Sequence, residues 1–355
     1  MFVKPLTTAA ILAAVAMGSA AAVRAEAIDA TYVAGHPPVF RWVRLAQEVF
    51  MPEVNKQLEG TDYTINWDAQ VGGSLAKVGD ELEAVEEGIA EVGGISSVFD
   101  PAKLSLQNVT YFTPFVSSDP RLIVDVMDEL HASNPKMTST WEDNGLEYLG
   151  GPIAIDDYLL MTTFPVNSIA DLQGKKIGAP GPAVNWLAGT GAVGVSGNLT
   201  TYYNEIKTGV YDGVIVFATA ALPGKLHEVA PYITKVGFGA QYAGAIAANK
   251  DWYDSQPEAV QNALKSAADT YKATYLDDLD KAVTAGLEAM ASQGATISEV
   301  DQAFRQQWAD GMDNVAQTWA KQVDSEGKPG TEILGAYLEA VRAAGGEPVR
   351  NWDQE

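Results

Sequence analysis

Three histidines, His36, His131 and His227, are the only imidazoles in a chain of 355 residues. None has a second histidine or a carboxylate at the spacing that holds a metal ion, so each reads as a surface or packing residue and not as a ligand or base. The chain has no cysteine, which excludes thiol nucleophiles, thiolate metal sites and disulfides. No serine stands in a Gly-x-Ser-x-Gly elbow. Gly189-Thr190-Gly191-Ala192-Val193-Gly194 spells a dinucleotide fingerprint in letters. The segment before it, Ala183 to Leu187, reads as helix, whereas that fingerprint must follow a strand, so the glycines read as a turn. The acidic pairs Asp156-Asp157 and Asp277-Asp278 are the remaining candidates for acid–base work. Neighbours in sequence seldom point into one cleft, and Asp277-Asp278 falls on the exposed face of a long helix. Metal and cofactor sites are therefore not expected, and the residues point to binding without catalysis.

The overall composition narrows the partner. Lys and Arg total 23 against 46 Asp and Glu, a formal charge of −23. Phosphate contacts need a basic face, so a nucleic-acid partner is excluded. An apolar fraction of 47% rules out a disordered chain, and the length allows two domains with their own cores. Lys4, the small and apolar run Leu6 to Met17, and the small-x-small pattern of Val23-Arg24-Ala25 read as a secretory signal over 1–25, cleaved near Ala25. The apolar run is too short for a membrane span of about 20 residues. The expected product is an exported, periplasmic protein.

The elements that must position these residues alternate. Thr31–Ala34 and Thr64–Asp68 read as strands, and Gly35-His36-Pro37-Pro38 opens a helix in which Val39, Val43, Ala46 and Phe50 share a face. An acidic helix around Asp80–Glu87 stops at Gly88. Further strands lie at Tyr148-Leu149, Lys176-Ile177, Val214–Phe217 and Ile246-Ala247. Such alternation predicts an α/β protein with mainly parallel sheets. Late in the chain, Ser255 and Glu258 suggest a capping box. Val260, Leu264, Ala268, Tyr271, Tyr275, Leu279, Val283, Leu287 and Met290 then recur at helical spacing up to Gly294. At 1.5 Å per residue that helix would run roughly 50 Å, enough to lie across two lobes.

Several motifs resemble one family. Ser168-Ile169-Ala170-Asp171-Leu172-Gln173-Gly174-Lys175-Lys176-Ile177-Gly178-Ala179-Pro180 is similar to the "D-L-x-G-x-K-I-R-x-P" signature of TRAP-transporter solute-binding proteins, the DctP family. Tyr203 to Gly213 is similar to that family's "y-x-A-L-q-x-G-x-v-D-G". Gly73-Ser74-Leu75, Leu82 to Gly88, Tyr111 to Phe115 and Asn249 to Tyr253 match in order, so the resemblance spans nearly the whole chain after the leader. It implies a two-lobe periplasmic-binding-protein fold with a hinge and a long helix spanning both lobes. It also implies closure on one small organic solute and delivery to TRAP membrane permease subunits. The expected division is 26–154 plus 242–281 for lobe I and 155–241 plus 282–355 for lobe II, in a monomer.

The departures from the family pattern concern the ligand. Where the family carries an arginine that clamps the solute's carboxylate, this chain has Gly178; a second family arginine aligns with Tyr158, and an asparagine aligns near Val216. The candidate ligand contacts are Asp157, Tyr158, Trp186, Phe217, Phe238, Gly178, Ser96 and Arg41. One reading is a small organic amine, ethanolamine or a choline-like cation, held by aromatic faces and neutralised by Asp157. The alternative is an aromatic or other monocarboxylate gripped by a different arginine, Arg41, Arg44 or Arg121. Uncharged solutes, and a secreted hydrolase or lyase on the same frame, stay open.

Overall fold

The computed structural model describes residues 1–2 and 26–355. Apart from Met1 and Phe2, the expected leader and its cleavage site lie outside the described residues.

The strands form two sheets. The first has the order β2 (Tyr63–Val71), β1 (Glu26–Ala34), β3 (Val92–Ile95), β10 (Gln241–Asn249), β4 (Leu146–Ile155). The second runs β11 (Thr296–Glu299), β9 (Tyr232–Lys235), β5 (Tyr158–Thr162), β8 (Gly213–Phe217), β6 (Lys176–Ala179), β7 (Val193–Ser196). Each sheet is the floor of one lobe. Both are more mixed than the alternation suggested: β10 runs antiparallel to β3 and β4, and β5 antiparallel to β8 and β9. The reversal has a topological cause. The chain leaves the first sheet at the end of β4, enters the second at β5, and returns from β9 to β10, so these strands enter their sheets from the neighbouring lobe. The two crossings at 156–157 and 236–240 are the hinge. In β8 and through most of β10 every side chain is buried, as expected of strands covered on both faces.

The long helix spans Glu258–Ser292. It lies on β4 and the helix Met51–Gln57 of the first lobe, then on the short helix Ala218–Ala221 and β11 of the second. Its start is uncapped by side chains: Pro257 is the N-cap residue, and the Ser255 hydroxyl instead donates to the Trp252 carbonyl. The expected capping box is not formed because Ser255 still belongs to the preceding helix, Lys250–Ser255.

The first helix begins at Arg41, later than the two prolines suggested, and leaves Val39 exposed while Val43, Ala46 and Phe50 are buried. It widens into a π-turn at Ala46–Phe50 before Met51–Gln57. Pro52 has no N–H to return to the preceding turn, and the widened turn accommodates that missing bond. Beyond the long helix, Val315–Ser325 and Gly330–Ala343 pack against Ser105–Phe112, and the latter also against Pro120–Ser133, all on the first lobe's side. The expected division assigns 282–355 to lobe II; β11 does join the second sheet, while these two helices lie against first-lobe elements. The apolar faces of these helices are matched by the first lobe's helices.

Candidate functional site

Ligands of open α/β sheets bind beyond the carboxyl ends of the parallel strands, where backbone and loops face a crevice. Here those ends from both lobes meet. His36 follows β1, Ser96 follows β3, Pro180 follows β6 and Phe217 closes β8. Together they wall one cavity with Trp42, Phe99 and Tyr111 from the first lobe and Tyr158 and Tyr202 from the second. Val98, Ile153, Ile155, Leu199, Ile215, Val216 and Ala243 complete the lining. The space between these atoms is about 400 Å³ with the open solvent at its mouth included.

His36 is held in place by its neighbours. A Cβ on Gly35 would stand 2.4 Å from the Val78 nitrogen, so only glycine lets the two loops touch. The Glu81 carboxylate accepts the Gly35 N–H at 3.0 Å and the Gly79 N–H at 2.6 Å, and the His36 carbonyl accepts the Gly72 N–H at 3.0 Å. The imidazole is thrust among Phe40, Trp42 and Phe99. It is 3% exposed, and neither ring nitrogen has a partner among the described residues. Burial pushes its pKa down to about 3, so the ring is neutral at any ordinary pH.

The rings of the second lobe interlock. Tyr158 and Phe217 are cross-strand partners, with ring centres 5.3 Å apart at 76°. The Tyr158 and Tyr111 hydroxyls are 2.9 Å apart and join the two lobes. Burial holds the phenols of Tyr158 and Tyr202 well above their ordinary range, and the Tyr202 hydroxyl has no partner among the described residues. Among the described residues no arginine, lysine, aspartate or glutamate lines the cavity. The lining residues with polar side-chain atoms are His36, Trp42, Ser96 and the tyrosines.

The residues singled out from sequence are distributed over several places. Tyr158, Phe217 and Ser96 line the cavity, as does Val216. Trp186 and Phe238 form the layer behind it, where Trp186 stacks on Tyr111 and Phe238 and its Nε1 donates to the Tyr111 carbonyl at 2.7 Å. Gly178 is buried under Tyr211: a Cβ there would stand 2.8 Å from that ring and 3.2 Å from Val214. The space a guanidinium would need is thus filled by a phenol, whose ring meets that of Tyr202 edge-on.

Asp157 lies at the hinge, where its carboxylate accepts the Gly239 N–H of the other crossing at 2.8 Å. It faces a separate groove shared with Lys235 and Arg305. Asp156 points away from it and accepts from the Thr219 N–H and hydroxyl at the start of Ala218–Ala221. Arg41 pairs with Asp278 at 3.0 Å, Arg121 with Asp277 at 3.1 Å and Arg44 with Glu48 at 2.8 Å. Asp277 and Asp278 thereby tie the long helix to the first lobe.

Sequence reasoning passed over His36, Trp42, Phe99, Tyr111 and Tyr202 as site residues. For His36 a signal was present: it directly follows the first strand, at the end where such sheets bind ligands. For Tyr202 no comparable signal exists, because its place depends on how the second lobe closes.

Two lobes on separate sheets, a two-crossing hinge, a spanning helix and a cavity walled from both sides define a periplasmic-type solute-binding protein. The family model for bacterial extracellular solute-binding protein, family 7, matches residues 42–322. The chain belongs to that family, the DctP solute receptors of TRAP transporters. Solved structures share the fold. A Bordetella pertussis extracytoplasmic solute receptor binding pyroglutamic acid is 18% identical with a TM-score of 0.76, covering 87% of this chain and 99% of that one. The periplasmic ectoine-binding protein of the Halomonas elongata TeaABC TRAP transporter is 20% identical with a TM-score of 0.75, covering 89% and 100%. A Sulfitobacter TRAP solute-binding protein with bound β-D-galacturonate is 20% identical with a TM-score of 0.74, covering 88% and 100%. No curated protein matches. The family consists of receptors, not enzymes, and among the described residues no helix is long and apolar enough to cross a membrane and no acidic or histidine cluster could hold a metal ion.

Proposed function

We propose that this chain is the extracytoplasmic receptor of a TRAP transporter for a small, uncharged, largely apolar solute, which it encloses between its lobes and hands to the membrane permease. The observation that carries the reading is the lining of the interlobe cavity: rings and aliphatic side chains, with no formal charge. The relatives named above bind a pyroglutamate, ectoine or galacturonate, all carboxylates. An acid in this cavity would meet no guanidinium. To use His36 as its counter-ion it would have to protonate a ring whose pKa is about 3, at a cost of about 5 kcal/mol at pH 7. A primary ammonium such as ethanolamine would leave water without a carboxylate to meet it, a loss of several kcal/mol.

A choline-like cation is the second reading, favoured by the faces of Trp42, Tyr158 and Phe217, since each cation–π contact contributes about 0.5–2 kcal/mol. Calorimetry with benzyl alcohol, choline, ethanolamine and benzoate separates these. The uncharged alcohol is expected to bind tightest. Choline binding tightest would transfer the conclusion to the cation, and benzoate binding tightest would sink both. Consumption of any of them would remove the receptor reading in favour of an enzyme. Export with cleavage near Ala25, and action as a monomer, belong to the same proposal; N-terminal sequencing of periplasmic material and light scattering test them.

A further inference from the structure

We propose that His36 and the Tyr202 hydroxyl form the polar subsite that selects the solute, and that the group they read is a hydroxyl or an amide. This rests on the uncharged-solute reading and adds which uncharged chemistry is preferred. Buried polar atoms are nearly always paired. Here both imidazole nitrogens and one phenol oxygen, on walls contributed by opposite lobes, have no partner among the described residues. Thirteen other buried side-chain atoms are unpaired among the described residues, Ser97 Oγ, Asn108 Oδ1 and Trp141 Nε1 among them, but none of those residues lines the cavity.

A neutral imidazole presents one N–H donor and one bare nitrogen acceptor. It is matched by a group that both donates and accepts, as a hydroxyl or a carboxamide does. The two ring nitrogens diverge, so one solute group meets one of them. A hydroxyl or carboxamide can pair with that nitrogen in either tautomer and with the Tyr202 hydroxyl as well, whereas a hydrocarbon pairs with neither and a carboxylate or ammonium brings a charge that nothing in the lining meets. The Gly35–Glu81 contacts fix the His36 backbone, so the ring is presented in place before the solute arrives. A solute that pairs with His36 in one lobe and Tyr202 in the other also draws the lobes together, which couples recognition to closure.

The test is a ring-matched series on the full mature chain by calorimetry: benzamide, benzyl alcohol, toluene, benzoate and benzyltrimethylammonium. Benzamide or benzyl alcohol should bind more than about tenfold tighter than toluene, because toluene leaves the buried partners unpaired. His36→Leu should bring them within about twofold of toluene. Should either charged probe bind tightest, the uncharged-solute reading fails and takes this inference with it. If the uncharged probes bind tightest but toluene equals the alcohol, or His36→Leu binds benzamide as wild type does, only this inference is overturned. Nitrogen-15 spectra of the wild-type imidazoles keep the idea testable if the variant does not fold. Saturation with benzamide should move both His36 ring signals, and unmoved signals refute the contact.

Discussion

At the scale of single residues, the place of a lost arginine is decided by what fills the gap. The absence of a guanidinium at Gly178 was legible in the sequence, but its consequence was not, because Tyr211 lies over the glycine. Gly178→Arg is therefore expected to overpack the lobe and cost about 1–3 kcal/mol without creating an acid site. Thermal melts and benzoate titration check it, and pairing the change with Tyr211→Ala should recover part of the stability. Asp156 shows the electrostatic side of burial. Its carboxyl, 2% exposed, is raised to about 6 from an ordinary 3.8. The folded chain then holds a proton that the unfolded chain releases earlier. The stability this gives is full below pH 3.8 and lost as pH rises through about 6, a difference of about 3 kcal/mol. Asp156→Asn keeps an acceptor for Thr219, so urea unfolding between pH 4 and 7 should show that slope removed. Asp157, also raised to about 6, bonds across the hinge. Asp157→Asn should leave the ratio of choline to benzyl alcohol affinity unchanged, since its carboxylate does not line the cavity.

At the scale of elements, the long helix owes its position to buried contacts more than to its ion pairs. The periodicity of Val260, Leu264, Tyr271, Tyr275 and Leu279 was legible because a helix repeats its buried face every three or four residues. The partners of those side chains were not. Tyr275 donates its hydroxyl to the Ala154 carbonyl at 2.7 Å in a buried site just before the hinge. Tyr275→Phe orphans that carbonyl and should cost about 1–3 kcal/mol in denaturant unfolding. The Arg41–Asp278 and Arg121–Asp277 pairs have exposed carboxylates. Removing either is expected to change stability by less than about 1 kcal/mol, and salt should reduce that further. Strand identity at β8 and β10 was likewise readable, but the antiparallel entry of β5 and β10 was not, because sequence patterning carries no information about which lobe a strand arrives from.

At the scale of the whole molecule, recognition and motion share the same atoms. The Tyr111–Tyr158 hydroxyl contact and the Trp186 Nε1 bond to the Tyr111 carbonyl both cross from one lobe to the other. Losing the Trp186 bond should favour the open form and so lower the affinity of every probe by a similar factor, about tenfold or less. Trp186→Phe in the calorimetric series tests this, and a changed order of probes would contradict it. Small-angle scattering should show the radius of gyration falling when a binding probe saturates the wild-type chain, with the melting temperature rising as binding adds stability, about 2.7 kcal/mol at a hundred times Kd.

The alternating elements, the spanning helix and the family were legible in the sequence, because those are written in local periodicity, residue type and motif order. The tertiary structure alone decided which side chains meet the solute. His36 and Tyr202 are more than 160 residues apart in the chain and converge only because both lobes turn their strand ends to one crevice. Asp157 and Gly178, each plausible from its neighbours in sequence, are turned to the hinge and beneath a tyrosine ring. The direction of a side chain depends on strand register and lobe packing, which no short stretch of sequence specifies.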